Sequence, residues 1–180
     1  RSLRARVSCE LAAALARAGD HARAQEVLTG VDVDLPDEPH FALYRVICMV
    51  RQSEVARGGG DIQAGIDTAL RARALNRSAV KSAVLEHDIA LHLGESYRAA
   101  DRLREADAAF RDATDGLTVL GLGDTLTAGG VYNNRGLVSE ALGRPIEAEA
   151  LLRRTIHNSS RDGTTQGVQP IVLNNLARVL

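Results

Sequence analysis

Side chains able to do chemistry are few in this sequence, and their spacing does not bring them together. Five histidines occur (His21, His40, His87, His92 and His157), and none stands in an H-E-x-x-H zinc pattern. Only His87, Asp88 and His92 cluster. Two histidines five apart diverge by about 140° around a helix, a poor geometry for a shared metal. They read as surface histidines. Cys9 and Cys48 are too few for a disulfide framework and lack metal-ligand spacing. Both sit in apolar helical patterns, so buried free thiols are expected. Lys81 is the sole lysine and lies outside any glycine-rich phosphate loop. Gly121-Leu122-Gly123 lacks the further glycine and the preceding strand of a dinucleotide fold; it and Gly58–Gly60 read as turns. No nucleophile elbow organises the serines, histidines and aspartates. Asn76-Arg77-Ser78 and Asn158-Ser159-Ser160 match glycosylation acceptors, yet both fit helix-end or cap roles. No catalytic residue, metal or cofactor is expected, and the chain does not read as an enzyme.

The elements must therefore present a surface rather than a reaction centre. Of 180 residues, 45% are hydrophobic and 25% charged, enough for a packed core. Lys+Arg 22 against Asp+Glu 23 gives a net charge of -1, against the strong positive field that nucleic-acid binding needs. Aromatics at 3% with no Trp weigh against base-stacking platforms. No apolar run approaches the ~20 residues of a membrane span; Phe41 to Val50 is broken by Arg45 and followed by Arg51. The chain starts at Arg1 and shows no secretory signal, so a cytoplasmic setting is the expectation.

Self-similarity at a fixed period organises the chain. One small column runs Ala12, Ser53, Gly94, Gly136 and Ala177, at steps of 41, 41, 42 and 41. A second runs Ala24, Gly65, Ala106 and Ala148, with Leu28, Ala69, Phe110 and Leu152 following it. Tyr132-Asn133-Asn134-Arg135-Gly136 recurs as Leu173-Asn174-Asn175-Leu176-Ala177. Ala141 to Glu149 reads as helix, turn, helix: Gly143 suits the left-handed C-terminal position and Pro145 the first turn. Asp20 and Asp61 follow glycines and suit caps of second helices, with Asp101 in the same role in the third unit. First helices are predicted over about 3–18, 40–56, 78–100, 124–142 and 165–180. Second helices are predicted over about 20–29, 61–75, 102–120 and 145–159. The main linkers are Val31–Pro39 and Ser160–Gly167, with a short one at Gly121–Asp124.

Leu93-Gly94-x-x-Tyr97 followed by Ala106-x-x-x-Phe110 resembles the tetratricopeptide repeat family, with Pro36 where that family often ends a repeat. The period of 41–42 departs from the usual repeat of about 34 residues. With the Leu-Asn-Asn-Leu-Ala phrase at Leu173 to Ala177, the chain is similar to the longer variety in kinesin light chains and in bacterial regulatory proteins. Gln52 and Arg135 stand where that pattern has leucine. The resemblance implies an all-α, right-handed superhelix of stacked antiparallel hairpins, an α-solenoid. It covers residues 1–180 as one segment, four units plus the first helix of a fifth, cut from a longer protein.

In the resembled family first helices line a concave groove that grips peptides or partner helices. Its phase gives Arg6 and Glu10 in the first unit, and Arg51, Glu54 and Arg57 in the second. Asp88, His92, Glu95 and Arg98 follow in the third, Asn133, Asn134 and Glu140 in the fourth, and Asn174, Asn175 and Arg178 in the last. The candidate binding set is Arg51, Glu54, Glu95, Arg98, Asn133, Asn134, Asn174 and Asn175. A carboxamide both donates and accepts, so it suits an extended peptide backbone; matching asparagines often act so in the family. Alternatively Asn134 and Asn175 hydrogen-bond within the stack, and the charged residues form a solvated face. The leading function is a protein–protein interaction scaffold with a protein or peptide partner, without nucleic acid or membrane. The alternative is the ligand- or peptide-sensing domain of a larger bacterial signalling or transcription regulator. Leu173, Leu176 and Leu180 would leave an apolar edge able to self-associate end to end.

Overall fold

Each helix is delimited by local chemistry that the sequence carries. The computed structural model describes residues 2–160 and 167–180. It contains α1 (Ser2–Arg17), α2 (His21–Leu28), a single turn α3 (Val31–Asp34), α4 (Ala42–Gly58), α5 (Ile62–Leu75), α6 (Ala83–Ala99), α7 (Leu103–Val119), α8 (Leu126–Ala141), α9 (Pro145–Ser159) and α10 (Pro170–Val179). Short π and 3-10 turns precede α6 and α4. Asp20 caps α2 by accepting from the Arg23 amide, and Asp61 caps α5 by accepting from that of Ala64. Ser82 and Thr125 do the same for α6 and α8.

The turns inside the hairpins share one design. Gly19, Gly60, Asp101 and Gly143 take positive φ of 87°, 93°, 58° and 73°. The next amide in each turn bonds back to a carbonyl five residues earlier: Asp20 to Leu15, Asp61 to Ala56, Arg102 to Tyr97 and Arg144 to Ser139. This closure satisfies carbonyls that the helix end would orphan. Asp101 thus replaces the glycine of the other units rather than capping α7, whose N-cap is Arg102 without a side-chain bond. Aspartate is among the few residues that tolerate this conformation.

Linkers between units are held by buried amides. Asn76, 2% exposed, donates to the Ser82 carbonyl and Glu86 and accepts from the Ser82 amide. That clamp holds the π turn and delays α6 to Ala83, later than the predicted start at Ser78. Asn158 reaches from α9 to the carbonyls of Gly123 and Thr125 at 2.9 and 3.1 Å. Most of the expected Ser160–Gly167 linker, and the predicted start at Thr165, lie outside the described residues.

The hairpins α1/α2, α4/α5, α6/α7 and α8/α9 stack in order, with α10 against α8 and α9, as an all-α superhelix. The small columns sit at the crossings. Ala12, Ala24, Ala106 and Ala148 are fully buried, and Phe110 and Leu152 occupy the space they leave. A Cβ on Gly94 would lie 2.6 Å from the Phe110 ring, and one on Gly136 would lie 3.0 Å from Leu152. Each second helix also packs on the next first helix, so the core runs on without a break between units. Val46, Val50, Ala69, Ile89 and Leu93 form one such shared cluster across three helices.

The first unit is different. Its buried residues on α1 and α2 are Ala5, Cys9, Ala12, Ala13, Ala16 and Ala24, so it has little side-chain volume with which to hold α4. Cys9 and Cys48 are joined in a disulfide with Cα atoms 5.3 Å apart, not the expected free thiols. Their separation of 39 falls two short of the period, so they face each other across the α1–α4 contact instead of stacking in one column. Closing a loop of that length restricts the unfolded chain by about 4 kcal/mol.

Two glycines separate packing from helix propensity. Gly94→Ala should destabilise by about 2 kcal/mol through overpacking against Phe110. Gly130→Ala, where a Cβ meets nothing within 4 Å, should stabilise by roughly 0.5–1 kcal/mol through helix propensity. Urea unfolding followed by circular dichroism reads both; equal effects would refute the close-packed crossing.

Candidate functional site: the inner face of the stack

Consecutive first helices pack directly on one another, and consecutive second helices approach less closely. The face made by α1, α4, α6, α8 and α10 is therefore the inner side of the curve. Its repeat period brings Glu10, Arg51, His92, Asn133 and Asn174 into one row. Arg51 is the hub. Its Nε donates to Glu10 at 3.0 Å, its Nη1 lies 3.4 Å from Nε2 of His92, and its Nη2 lies 3.6 Å from Asp88. Glu54, 8% exposed, accepts from Arg17 at 2.6 Å and stands 3.8 Å from Arg51. Glu95 accepts from Arg57 at 2.6 Å. Three arginines (17, 51, 57) and four carboxylates (10, 54, 88, 95) make up the ion-pair network of this half of the face.

His92 is not a surface histidine. It is 7% exposed, and His87 is buried too, with Nδ1 2.9 Å from the Ala113 carbonyl. Burial first, then Arg51, Arg57 and Arg17 around it, lower the His92 pKa to about 4, against the pull of Glu54. Burial also raises the Glu95 pKa, helped by Glu54 and Asp88 and opposed by Arg57 and Arg98. Nδ1 of His92 and Nε of Arg57 are buried without a hydrogen bond among the described residues. Arg57, with Ala16, Arg17, Glu54 and Gly58, lines a pocket of about 190 Å³.

The amide half of the face is built differently. Asn175 is 4% exposed and donates to Oδ1 of Asn133 at 3.0 Å. The bridge within the stack is thus Asn175 to Asn133, while Asn134 is half-buried and Asn174 exposed. Glu140 and Arg178 pair across the same step, and Arg98 is exposed on the last turn of α6. The eight candidates therefore separate into two groups. Arg51, Glu54, Glu95, Asn133 and Asn175 bond within the chain; Arg98, Asn134 and Asn174 keep open surface.

Arg17 belongs to the network and was missed from the sequence. Cross-unit pairs fall at the period or one turn short of it: Glu10–Arg51 at 41, Arg17–Glu54 at 37, Arg57–Glu95 at 38. A search for opposite charges at both offsets would have found it. Arg135, at a leucine position, solves its burial in the same way: it donates to Asp107 and Glu147, and Arg144 and Arg111 complete the cluster. Three arginines hold the buried Asp107 carboxyl below the usual carboxylate range against its desolvation.

No family model matches the chain and no curated protein matches its sequence. Among solved structures it is similar to BtubC (BKLC), a kinesin light chain-like protein from P. vanneervenii, with a TM-score of 0.73 and 15% identity. The match covers 94% of this chain and 68% of that one. At that identity the likeness establishes a tetratricopeptide-like helical fold and nothing finer. Among the described residues no helix is long and apolar enough to cross a membrane.

The buried histidine sets a pH dependence. A pKa lowered on folding means that the unfolded chain binds the proton more tightly. Stability is then complete above about pH 6.5 and is lost as pH falls toward 4. The loss at pH 5 relative to pH 7 should be about 2 kcal/mol from this group. Urea titrations at both pH values should show a smaller difference in His92→Gln; an unchanged difference would place the cause elsewhere.

Proposed function

We propose that this chain is a protein-interaction scaffold that receives an extended peptide or a partner helix along the inner face of its stack. The observation that supports it is the asymmetry of that face. Its first half is engaged in its own ion pairs, while on successive helices Arg98 and Asn174 are exposed and Asn134 is half-buried, none of them in a side-chain bond among the described residues. Open carboxamides donate to and accept from a peptide backbone whatever its side chains, and Arg98 adds a cation for an acidic residue or a terminal carboxylate. The closed half holds the register of the helices that present them. In this reading the chain is a helical-repeat segment of a longer cytoplasmic protein, is not an enzyme, and takes a protein or peptide partner rather than nucleic acid or membrane.

A sensing role is the second reading, favoured by the 190 Å³ pocket lined by Arg57, whose buried Nε has no hydrogen bond among the described residues. A small polar ligand there would bias a conformational equilibrium rather than tether two proteins.

Selection from a random-peptide display library, followed by titration of the enriched peptides, tests both. Arg98→Glu, Asn134→Ala and Asn174→Ala combined should weaken peptide binding at least about tenfold, the loss of roughly 1.4 kcal/mol, with unchanged helicity. Peptides that bind wild type and triple variant alike would refute the open half as the site. Failure to enrich any peptide, with a thermal shift from small polar ligands that Arg57→Ala abolishes, would favour the sensing reading.

A further inference from the structure

The Cys9–Cys48 disulfide is the one side-chain covalent tie between the first hairpin and the rest of the stack, and its two ends differ: Cys9 is fully buried, whereas Cys48 lines a pocket. A pocket of about 250 Å³ opens between α3, the Pro36–Asp37 segment and α4, with Leu35, Cys48 and Met49 at its base. Cys9, on the far side of the bond, does not line it. The walls carry Arg45, Arg71, Gln52 and Asp37. Asp37 is bonded to Arg45, whereas Arg71 is exposed at the rim and enters no ion pair among the described residues. The pocket therefore carries net positive charge and has Cys48, 2% exposed, in its wall, while Cys9 is fully buried.

The surroundings also accommodate the reduced state. The Cys48 sulfur lies 3.5 Å from the Ala5 carbonyl oxygen, so a thiol formed there would have its acceptor in place. The alanine-built first unit would then be held by the ion pairs Arg4–Asp34, Arg17–Glu54 and Glu10–Arg51 and by contacts of small side chains.

We infer that Cys9–Cys48 is a redox-addressable staple, entered by small anionic thiols through the Arg45/Arg71 pocket and cut at Cys48. The thiolate of the incoming molecule attacks the Cys48 sulfur, the Cys9–Cys48 bond breaks, and Cys9 leaves as a thiolate that is protonated as α1 loosens from α4. A second anionic thiolate attacks the small-molecule sulfur of the mixed disulfide. Cys48 is released and protonated, and two thiols leave as one disulfide. Two electrons pass from the pair of small thiols to the protein. The staple persists in oxidising surroundings and opens in reducing ones, and opening leaves α1 and α2 held to α4 by those ion pairs and contacts alone, without disturbing the later units.

The test compares glutathione, 2-mercaptoethanol and cysteamine (anionic, neutral and cationic) as reductants of the oxidised full chain. Intact mass after alkylation gives the rate, and the same reactions in urea supply the reference for intrinsic reactivity. In the native state, glutathione should be favoured over cysteamine by about fivefold relative to urea, the effect of one or two nearby charges. Arg71→Ala should reduce that preference and Arg71→Glu reverse it; Arg71 is exposed, so both should fold. Peptide mapping should find the transient adduct on Cys48. Hydrogen exchange of the reduced protein should accelerate in α1 and α2 and stay unchanged in α6 to α9. The inference is overturned if the native preference equals that in urea, if the adduct is on Cys9, if reduction follows only global unfolding, or if the oxidised protein contains two free thiols.

Discussion

The distance between a first helix and its second is set by what stands at their crossing, and the rest of the structure follows from it. Where Gly94 meets Phe110 there is no room for even one methyl group, and Gly136 against Leu152 is nearly as tight. Dispersion falls steeply with separation, so a backbone that lets an aromatic ring lie flat against it converts a small residue into packing energy. Hairpins held at that distance present two flat faces. Each second helix then lodges between its own first helix and the next, and the stack curves with its first helices inside.

That curvature determines the electrostatics. First helices drawn together bring charged rows into contact at one period or one turn less, in a partly desolvated setting where an unpaired charge is expensive. The pairs from Arg17 to Glu95 answer that cost among themselves, and the interlocked Arg51, Glu54 and His92 fix the register between units. His92 is held neutral by its burial and, secondarily, by the three arginines around it, against the pull of Glu54. Toward the other end the same rows carry asparagines: Asn175 donates to Asn133, while Asn174 is exposed and Asn134 half-buried. A single geometric repeat thus yields a closed half and an open half, by substitution of residue types alone.

The first unit departs from this logic. The fully buried residues of α1 and α2 are alanines and Cys9, with Leu15, Val27 and Leu28 only partly buried around them, and the disulfide to α4 adds a covalent tie there. The stability of the stack is consequently uneven along its length, with the N-terminal unit tied by bonds of a different kind.

Periodicity was legible in the sequence because it is written in residue size: four of the five small residues near a 41-residue step are buried at the repeated crossings, and the fifth, Ala177, is exposed on α10. The caps at Asp20 and Asp61, the turn at Gly143 and the bounds of α9 were legible for the same reason, since each rests on contacts within a few residues. Asp101 was misassigned because its neighbour, not its type, decides whether it caps or turns. The pairing of Cys9 with Cys48, the burial of His92 and the capture of Arg51 by Glu10 depend on side chains some forty residues apart. A residue's type states what it can bond; only the stacked helices decide which partner lies within reach, and so which of the inner-face residues are spent within the chain and which face outward.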